Sequence, residues 1–429
     1  MRRRMLILAL AGLILIVAST AGGAAKVKLT HFNYYSHGDA WYQYLLDRAV
    51  AFGARNPGVE VEVLQGGGPG DTAYVTKFTV MQAGGAAPNI TDFHPALGAT
   101  QIVSGAFTDL RPFLSRSGIN LARLVGRPVA ETLTAPNGAV WALPADIYPV
   151  ASWFNEDLFD QAGLLTPIQL GKDWTWEQAL SMGRKLTKDA DGDGIPEIWG
   201  IDRMGARWYI WVHQAGGKLY DRVVAPTKSL WNTPEVARGL DFPRRAFADR
   251  ITAPPGTPNV ADTYFWKGKT AIDLVDGPGV IGAYMANVPF RWNIAPQVRG
   301  PVHNGSEIAI GAFQIVAETP HQEEAWKWLQ FISLDTESAL RFVEMTGRAP
   351  SLMSIQGRYG ILNKHAPSNV MAFFEVAAQP ETQINYVIPQ QAQVNTVVNP
   401  KLNEVWAGRL ALETALEQIH TQLVPIFAE

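Results

Sequence analysis

The chain has 429 residues, of which 47% are hydrophobic and 17% charged, with a formal net charge of −3 and 0 cysteines. That is enough material for two globular lobes, and it excludes a disordered or fibrous protein, a disulfide scaffold and a cysteine nucleophile. Apart from Arg2, Arg3 and Arg4 the chain has no basic run, and its mildly acidic balance is a poor match for nucleic acid.

Residues 1–25 read as a secretory leader. Arg2, Arg3 and Arg4 precede an apolar run from Met5 to Ala18, followed by the small residues Ser19 to Ala25. This order is that of a signal peptide, with cleavage expected after Ala21 or Ala25, and the apolar run is short of the ~20 residues a membrane-spanning helix needs. Without a cysteine to carry a lipid, the exported chain is expected to be soluble in the periplasm and stabilised by burial alone.

Val27 and Leu29 alternate with polar neighbours as in a strand, and an amphipathic stretch runs from Asp39 to Arg55. Val59 to Val63 alternates with strand period, Thr72 to Ala83 predicts a helix ended by Gly84-Gly85, and Asn89 to Phe93 predicts another strand. Strands alternating with helices imply parallel pairing covered by helices, an α/β fold. Asn137-Gly138 starts a further extended segment that Pro144 is expected to block, and a second begins at Trp153. Asn155 caps a short helix that Gly163 ends, and Thr175 with Gln178 has capping-box spacing for the next helix. Gly200, Gly216-Gly217 and Asn232-Thr233-Pro234 punctuate a helix-rich region. Arg291 to Pro296 reads as an extended return, Ile308 to Ile315 as a buried strand, and Thr319 to Leu329 as a helix with Trp326, Leu329 and Ile332 on one face.

Three motifs have the spelling of chemical sites. Gly277-Pro278-Gly279-Val280-Ile281-Gly282 spells a dinucleotide-binding loop, but its internal proline and the lack of a carboxylate about twenty residues on favour a turn into a helix. Gly268-Lys269-Thr270 lacks the earlier glycine of a phosphate loop, since Thr263 stands there. Asp189, Asp191, Asp193 and Glu197 alternate on a glycine-rich turn, as oxygen ligands for calcium do. Gly200 replaces the twelfth-position glutamate of an EF-hand, so a plain turn and a structural calcium site both stay open. No GxSxG or HExxH occurs, which makes binding without catalysis, and without a cofactor, the default.

The ordered blocks Asn56-Pro57-Gly58-Val59, Ala83 to Ile90, Gly105 to Leu110, Asn137 to Pro144, Trp153 to Phe159, Phe265 to Ile272, Thr319 to Leu329 and Gly347 to Pro350 closely resemble the extracellular solute-binding proteins of ABC importers. The resemblance is to the sugar-binding family that includes maltose-binding and glycerol-phosphate-binding proteins, and it runs from about residue 27 to residue 352. It implies a two-lobed periplasmic-binding-protein fold of type II. The crossings would fall near Leu143 to Pro149, Ile294 to Val298 and Ser333 to Thr336. Residues 26–145 and 297–335 would form lobe 1, and 146–296 and 336–429 lobe 2.

The resemblance also implies a monomer that captures a carbohydrate between its lobes and passes it to the permease subunits of an ABC transporter. Aromatic faces would stack on the sugar, and planar polar groups would pair its hydroxyls. The residues it places near the cleft are Tyr34, Tyr35, Asp92, His94, Asp146, Tyr148, Trp208, Trp211, Trp231, Asp276, Phe313 and Arg348. One of Tyr34 and Tyr35 would be structural, because adjacent strand residues face opposite ways. Pro278 stands where relatives often carry an aromatic, which removes one expected stacking contact. A phosphorylated or other anionic solute is the alternative ligand, and a secreted glycoside hydrolase or lyase the alternative activity.

Overall fold

A computed structural model describes residues 25–66 and 71–428, so the expected leader, apart from Ala25, lies outside the described residues. None of the described helices is long and apolar enough to cross a membrane. The strands are β1 (Val27–Tyr34), β2 (Val59–Gly66), β3 (Ile90–Thr91), β4 (Leu143–Pro149), β5 (Ser152–Asn155), β6 (Trp199–Ile201), β7 (Thr270–Asp273), β8 (Trp292–Ala295), β9 (Ile308–Ile315) and β10 (Ala349–Pro350). They form two sheets, a six-stranded one in the order β10-β4-β9-β3-β1-β2 and a four-stranded one in the order β6-β7-β5-β8. The larger apolar core gathers on the six-stranded sheet and extends to Trp153 of β5 and Ile294 of β8, and a second core gathers on the four-stranded sheet.

The expected local signals act where the sequence places them. Gly38 and Asn56 bracket the helix Asp39–Arg55, which buries Trp41, Tyr44, Leu45 and Phe52 against the first sheet. β1 pairs in parallel with β2 and β3, as helix-connected strands do. The Asn155 side chain accepts from Leu158 N, and the helix it starts ends at Gly163, whose φ of 63° is costly for a residue with a Cβ. Such a cap stabilises its helix by about 1 kcal/mol. Pro144 does not stop its strand. It sits inside β4 where the register with β9 shifts between Pro144 and Asp146, and a bulge tolerates the missing N–H.

β4 and β5 belong to different sheets yet are separated only by Val150 and Ala151, both fully buried. The first crossing is therefore this dipeptide, a few residues beyond the boundary expected at residue 145. β8 pairs antiparallel with β5 and so belongs to the second lobe; the return crossing is the segment 296–307 that follows it. The crossing expected near Ser333 to Thr336 does not occur there. The helices Gln322–Ser333 and Thr336–Thr346 both pack on the first lobe, with Tyr44 donating to Ile332 O at 2.9 Å and its ring edge-on to Phe342. The chain then pairs β10 with β4, reaches β8 of the second lobe at Asn369, whose side chain donates to Ile294 O at 2.9 Å, and enters the second core at Tyr386 and Ile388.

The three crossings lie side by side. Val150 N donates to Glu307 O at 2.9 Å, Ser306 Oγ to Val150 O at 2.8 Å, Gln383 N to Ser306 O at 3.0 Å and Ile308 N to Gln383 O at 2.9 Å. The C-terminal helices Gln391–Trp406 and Leu412–Ala428 pack on the second lobe.

Candidate functional site

The space between the lobes holds two adjoining cavities. The inner one, 490 Å³, is lined by His94, Asp146, Arg207, Tyr209, Glu307 and Asn385 among others; the outer one, 1040 Å³, by Ser36, Trp41, Gly279, Tyr284 and Glu344 among others. His37, Tyr148 and Arg348 line both.

On the first lobe, Asp146 in β4 is nearly fully buried. It accepts from Gly311 N at 2.8 Å and pairs with Arg348 at 2.8 Å. The Arg348 guanidinium also lies 5.2 Å from the Trp41 ring, on which His37 stacks at 3.9 Å. Asp92 sits beneath this floor with no exposed surface. It accepts from Tyr34 N, from Trp41 Nε1 at 3.2 Å and from Tyr74 Oη at 3.0 Å, and lies 3.4 Å from His37 Nδ1. Burial raises its pKa to about 6, and burial lowers those of His31 and His37 to about 4 and about 3, so both imidazoles are neutral at physiological pH.

On the second lobe, Arg207 pairs with Glu307 at 2.5 Å and lies 5.3 Å from the Tyr148 ring, while Tyr209 donates to the same carboxylate at 2.5 Å. Tyr148 donates to Asp276 at 3.2 Å. Arg203 is bound to Asp276, to Asp273 at 3.2 Å and to Asp202 at 3.3 Å, three carboxylates with almost no exposed surface. The glycine-rich turn is packing and no nucleotide loop. A Cβ on Gly277 would stand 2.6 Å from Tyr148 Cδ1, and one on Gly279 2.8 Å from Tyr148 Cε2, so the turn is bare because the Tyr148 ring fills the space.

Of the residues expected at the cleft, His94, Asp146, Tyr148 and Arg348 line it. Asp276 lies just behind Tyr148, and Asp92 and Tyr34 lie under the floor. Tyr35 is half-exposed in a 3-10 turn and, like the partly buried Trp208, lines neither cavity. Trp211, Trp231 and Phe313 are corrections to the expected set. All three are fully buried in the lobe cores and present no face to a ligand.

His37, Trp41, Arg207, Tyr209 and Glu307 escape the sequence reading. His37 alone had a usable signal, because it follows the carboxyl end of β1, where α/β sheets place their ligand crevice.

In the Asp-rich turn, Asp189, Asp191 and Glu197 offer oxygens within 4.8 Å of one another. Asp193 is not part of this group; its carboxylate accepts from Ile195 N at 2.7 Å. The turn closes on itself, with Gly192 N and Gly194 N donating to Asp189 and Ala190 N to Glu197. Chelation separates the two readings: an unchanged melting temperature makes this a plain self-closed turn, and a fall that calcium reverses makes these three carboxylates ion ligands.

No curated protein sequence matches the chain significantly. Among solved structures, it is similar to an ABC substrate-binding protein from Listeria monocytogenes in complex with cycloalternan, at 20% identity and a TM-score of 0.78 over 94% of this chain and 99% of that one. It is similar to the cyclic alpha-maltosyl-1,6-maltose binding protein of Arthrobacter globiformis at 16% identity and a TM-score of 0.76, again over 94% and 99%. A solute-binding protein from Thermotoga lettingae bound with alpha-D-tagatose matches at 19% identity and a TM-score of 0.72 over 94% and 100%. These likenesses establish the two-lobed, type II fold. The family model described as bacterial extracellular solute-binding protein matches residues 35–337, most of both lobes, and the chain belongs to that family.

Proposed function

We propose that the protein captures a neutral carbohydrate in the interlobe cleft and delivers it to the permease of an ABC importer, without transforming it. The observation that carries this reading is the internal pairing of the two arginines that line the inner cavity. Arg348 is matched by Asp146 and Arg207 by Glu307, so the site offers planar donors and acceptors beside aromatic rings while its guanidinium charges are already compensated. Such a lining suits a ligand with many hydroxyls and one apolar face. A phosphate would have to displace a carboxylate from its arginine, which weighs against the anionic alternative. The carbohydrates bound by the structural neighbours support the same ligand class. In this reading the leader is removed on export, the mature chain carries no lipid, and it works in the periplasm as a monomer.

A thermal-shift screen of the mature protein against neutral sugars, polyols and sugar phosphates tests this. A cognate sugar at 100 times its Kd is expected to add about 2.7 kcal/mol of stability and to be recovered intact. Tighter binding of a phosphorylated sugar than of its neutral parent would overturn the neutral-ligand reading, and turnover would overturn the transport reading.

A further inference from the structure

We propose that Tyr284 is the stacking platform for a distal residue of an extended glycan, so that the cleft selects for chain length; the inference rests on the carbohydrate reading above. Where the second lobe meets the cleft at Gly277 and Gly279 the wall is bare backbone, because Tyr148 leaves no room for a side chain. Just beyond it, the turn Ile281–Met285 carries Tyr284 into the lining of the outer cavity, with more than half of its surface exposed. An exposed ring is usually free to turn. This one stacks on Trp266 at 4.6 Å with an interplanar angle of 13°. Trp266 is in turn held edge-on by Tyr264 at 5.0 Å, and the Arg203 guanidinium lies over both rings, 5.0 Å from Trp266 and 4.6 Å from Tyr264. Because Asp202, Asp273 and Asp276 fix Arg203, the stack rests on a buried ionic anchor.

One face of Tyr284 is thus covered by Trp266 and the ring is ordered before any ligand arrives. That lowers the entropy a ligand must offset when it stacks on the other face. The volumes agree with this division. The inner cavity, at 490 Å³, already lies within the roughly 300–1,000 Å³ of ordinary small-ligand sites. The other cavity, 1040 Å³, is additional space that adjoins it at His37, Tyr148 and Arg348, which line both. A monosaccharide seated in the inner cavity would leave Tyr284 unused, whereas a longer glycan would cross the shared residues and meet it.

Calorimetric titration with di- and tetrasaccharides of the malto-, isomalto- and cello-series, on the wild type, Tyr284→Ala and Tyr284→Phe, tests the inference. In a series that binds, the wild type is expected to favour the tetrasaccharide over the disaccharide by roughly tenfold. Tyr284→Ala is expected to bring that ratio close to one, and Tyr284→Phe, which keeps the ring, to preserve it. A ratio that survives in Tyr284→Ala, or a wild type indifferent to chain length, overturns the role of Tyr284 and leaves the carbohydrate reading intact. Failure of every series at both lengths, with the wild type folded and a monosaccharide bound in the thermal-shift screen, overturns this inference and leaves the carbohydrate reading standing; silence in that screen as well overturns both.

Discussion

Replacing Arg203 with methionine is expected to destabilise the protein by about 3–5 kcal/mol at neutral pH, the usual result of removing one partner from a buried ionic group. Arg203 is the counter-charge of Asp202, Asp273 and Asp276, whose side chains are 1%, 1% and 9% exposed, too little for water to take its place. The loss should depend on pH. Burial raises the Asp202 carboxyl to about 6 even with Arg203 beside it, and burial together with the charge of Asp276 raises Asp273. A carboxyl with a raised folded pKa contributes stability that is fully present below its unfolded value, about 3.9, and is lost as pH rises through the folded value. Deleting the arginine removes an influence that lowers both groups, so the variant is penalised most where they must ionise. Urea unfolding should show a larger deficit at pH 7.5 than at pH 5. An equal deficit at both would mean that Arg203 acts only by packing on Tyr264 and Trp266.

Trp231→Ala should cost about 3–5 kcal/mol of stability and leave ligand affinity unchanged in the molecules that remain folded. The ring is completely enclosed in the second core and lies 5.1 Å from Trp208. Truncating it opens a void the neighbours cannot fill, yet it touches nothing in the cleft lining. The reverse pattern, a small shift in the urea midpoint with a large loss of affinity, would return Trp231 to the binding surface.

Trp231 also shows where reading the sequence stops. It precedes Asn232-Thr233-Pro234, and a tryptophan beside turn residues looks exposed unless the loop is known to fold back over a helix. The local signals were legible because their causes are local. The cap at Asn155, the glycine after its helix and the periodicity of Asp39 to Arg55 each depend on residues a few positions apart. The cleft is assembled from distant ones. Tyr148 meets Asp276 and Arg207 meets Glu307 across more than a hundred and about a hundred positions, and no spacing announces those pairs. Arg203 and Arg207 also adopt positive φ, 39° and 47°, which orients them in a way their residue type does not suggest. The misplaced third crossing has a similar cause. A polar turn at Leu334 and Asp335 shows that one helix ends and another starts, but only the packing of Phe342 against Tyr44 and Trp41 shows that both stay on one lobe.

The side-by-side crossings have a mechanical consequence. Hydrogen bonds from Val150 to Glu307 and between Gln383, Ser306 and Ile308 join the three segments into a strap, and such a strap resists sliding and torsion far more than it resists folding about a line across it. Bending about that line, like the covers of a book, is therefore the lobe motion expected to cost least. Such bending widens or narrows the cleft as a whole, so a ligand that bridges the walls acts on it. Its grip then reaches the outer surface of the molecule as a change of angle, a form of signal a membrane partner can read without touching the sugar.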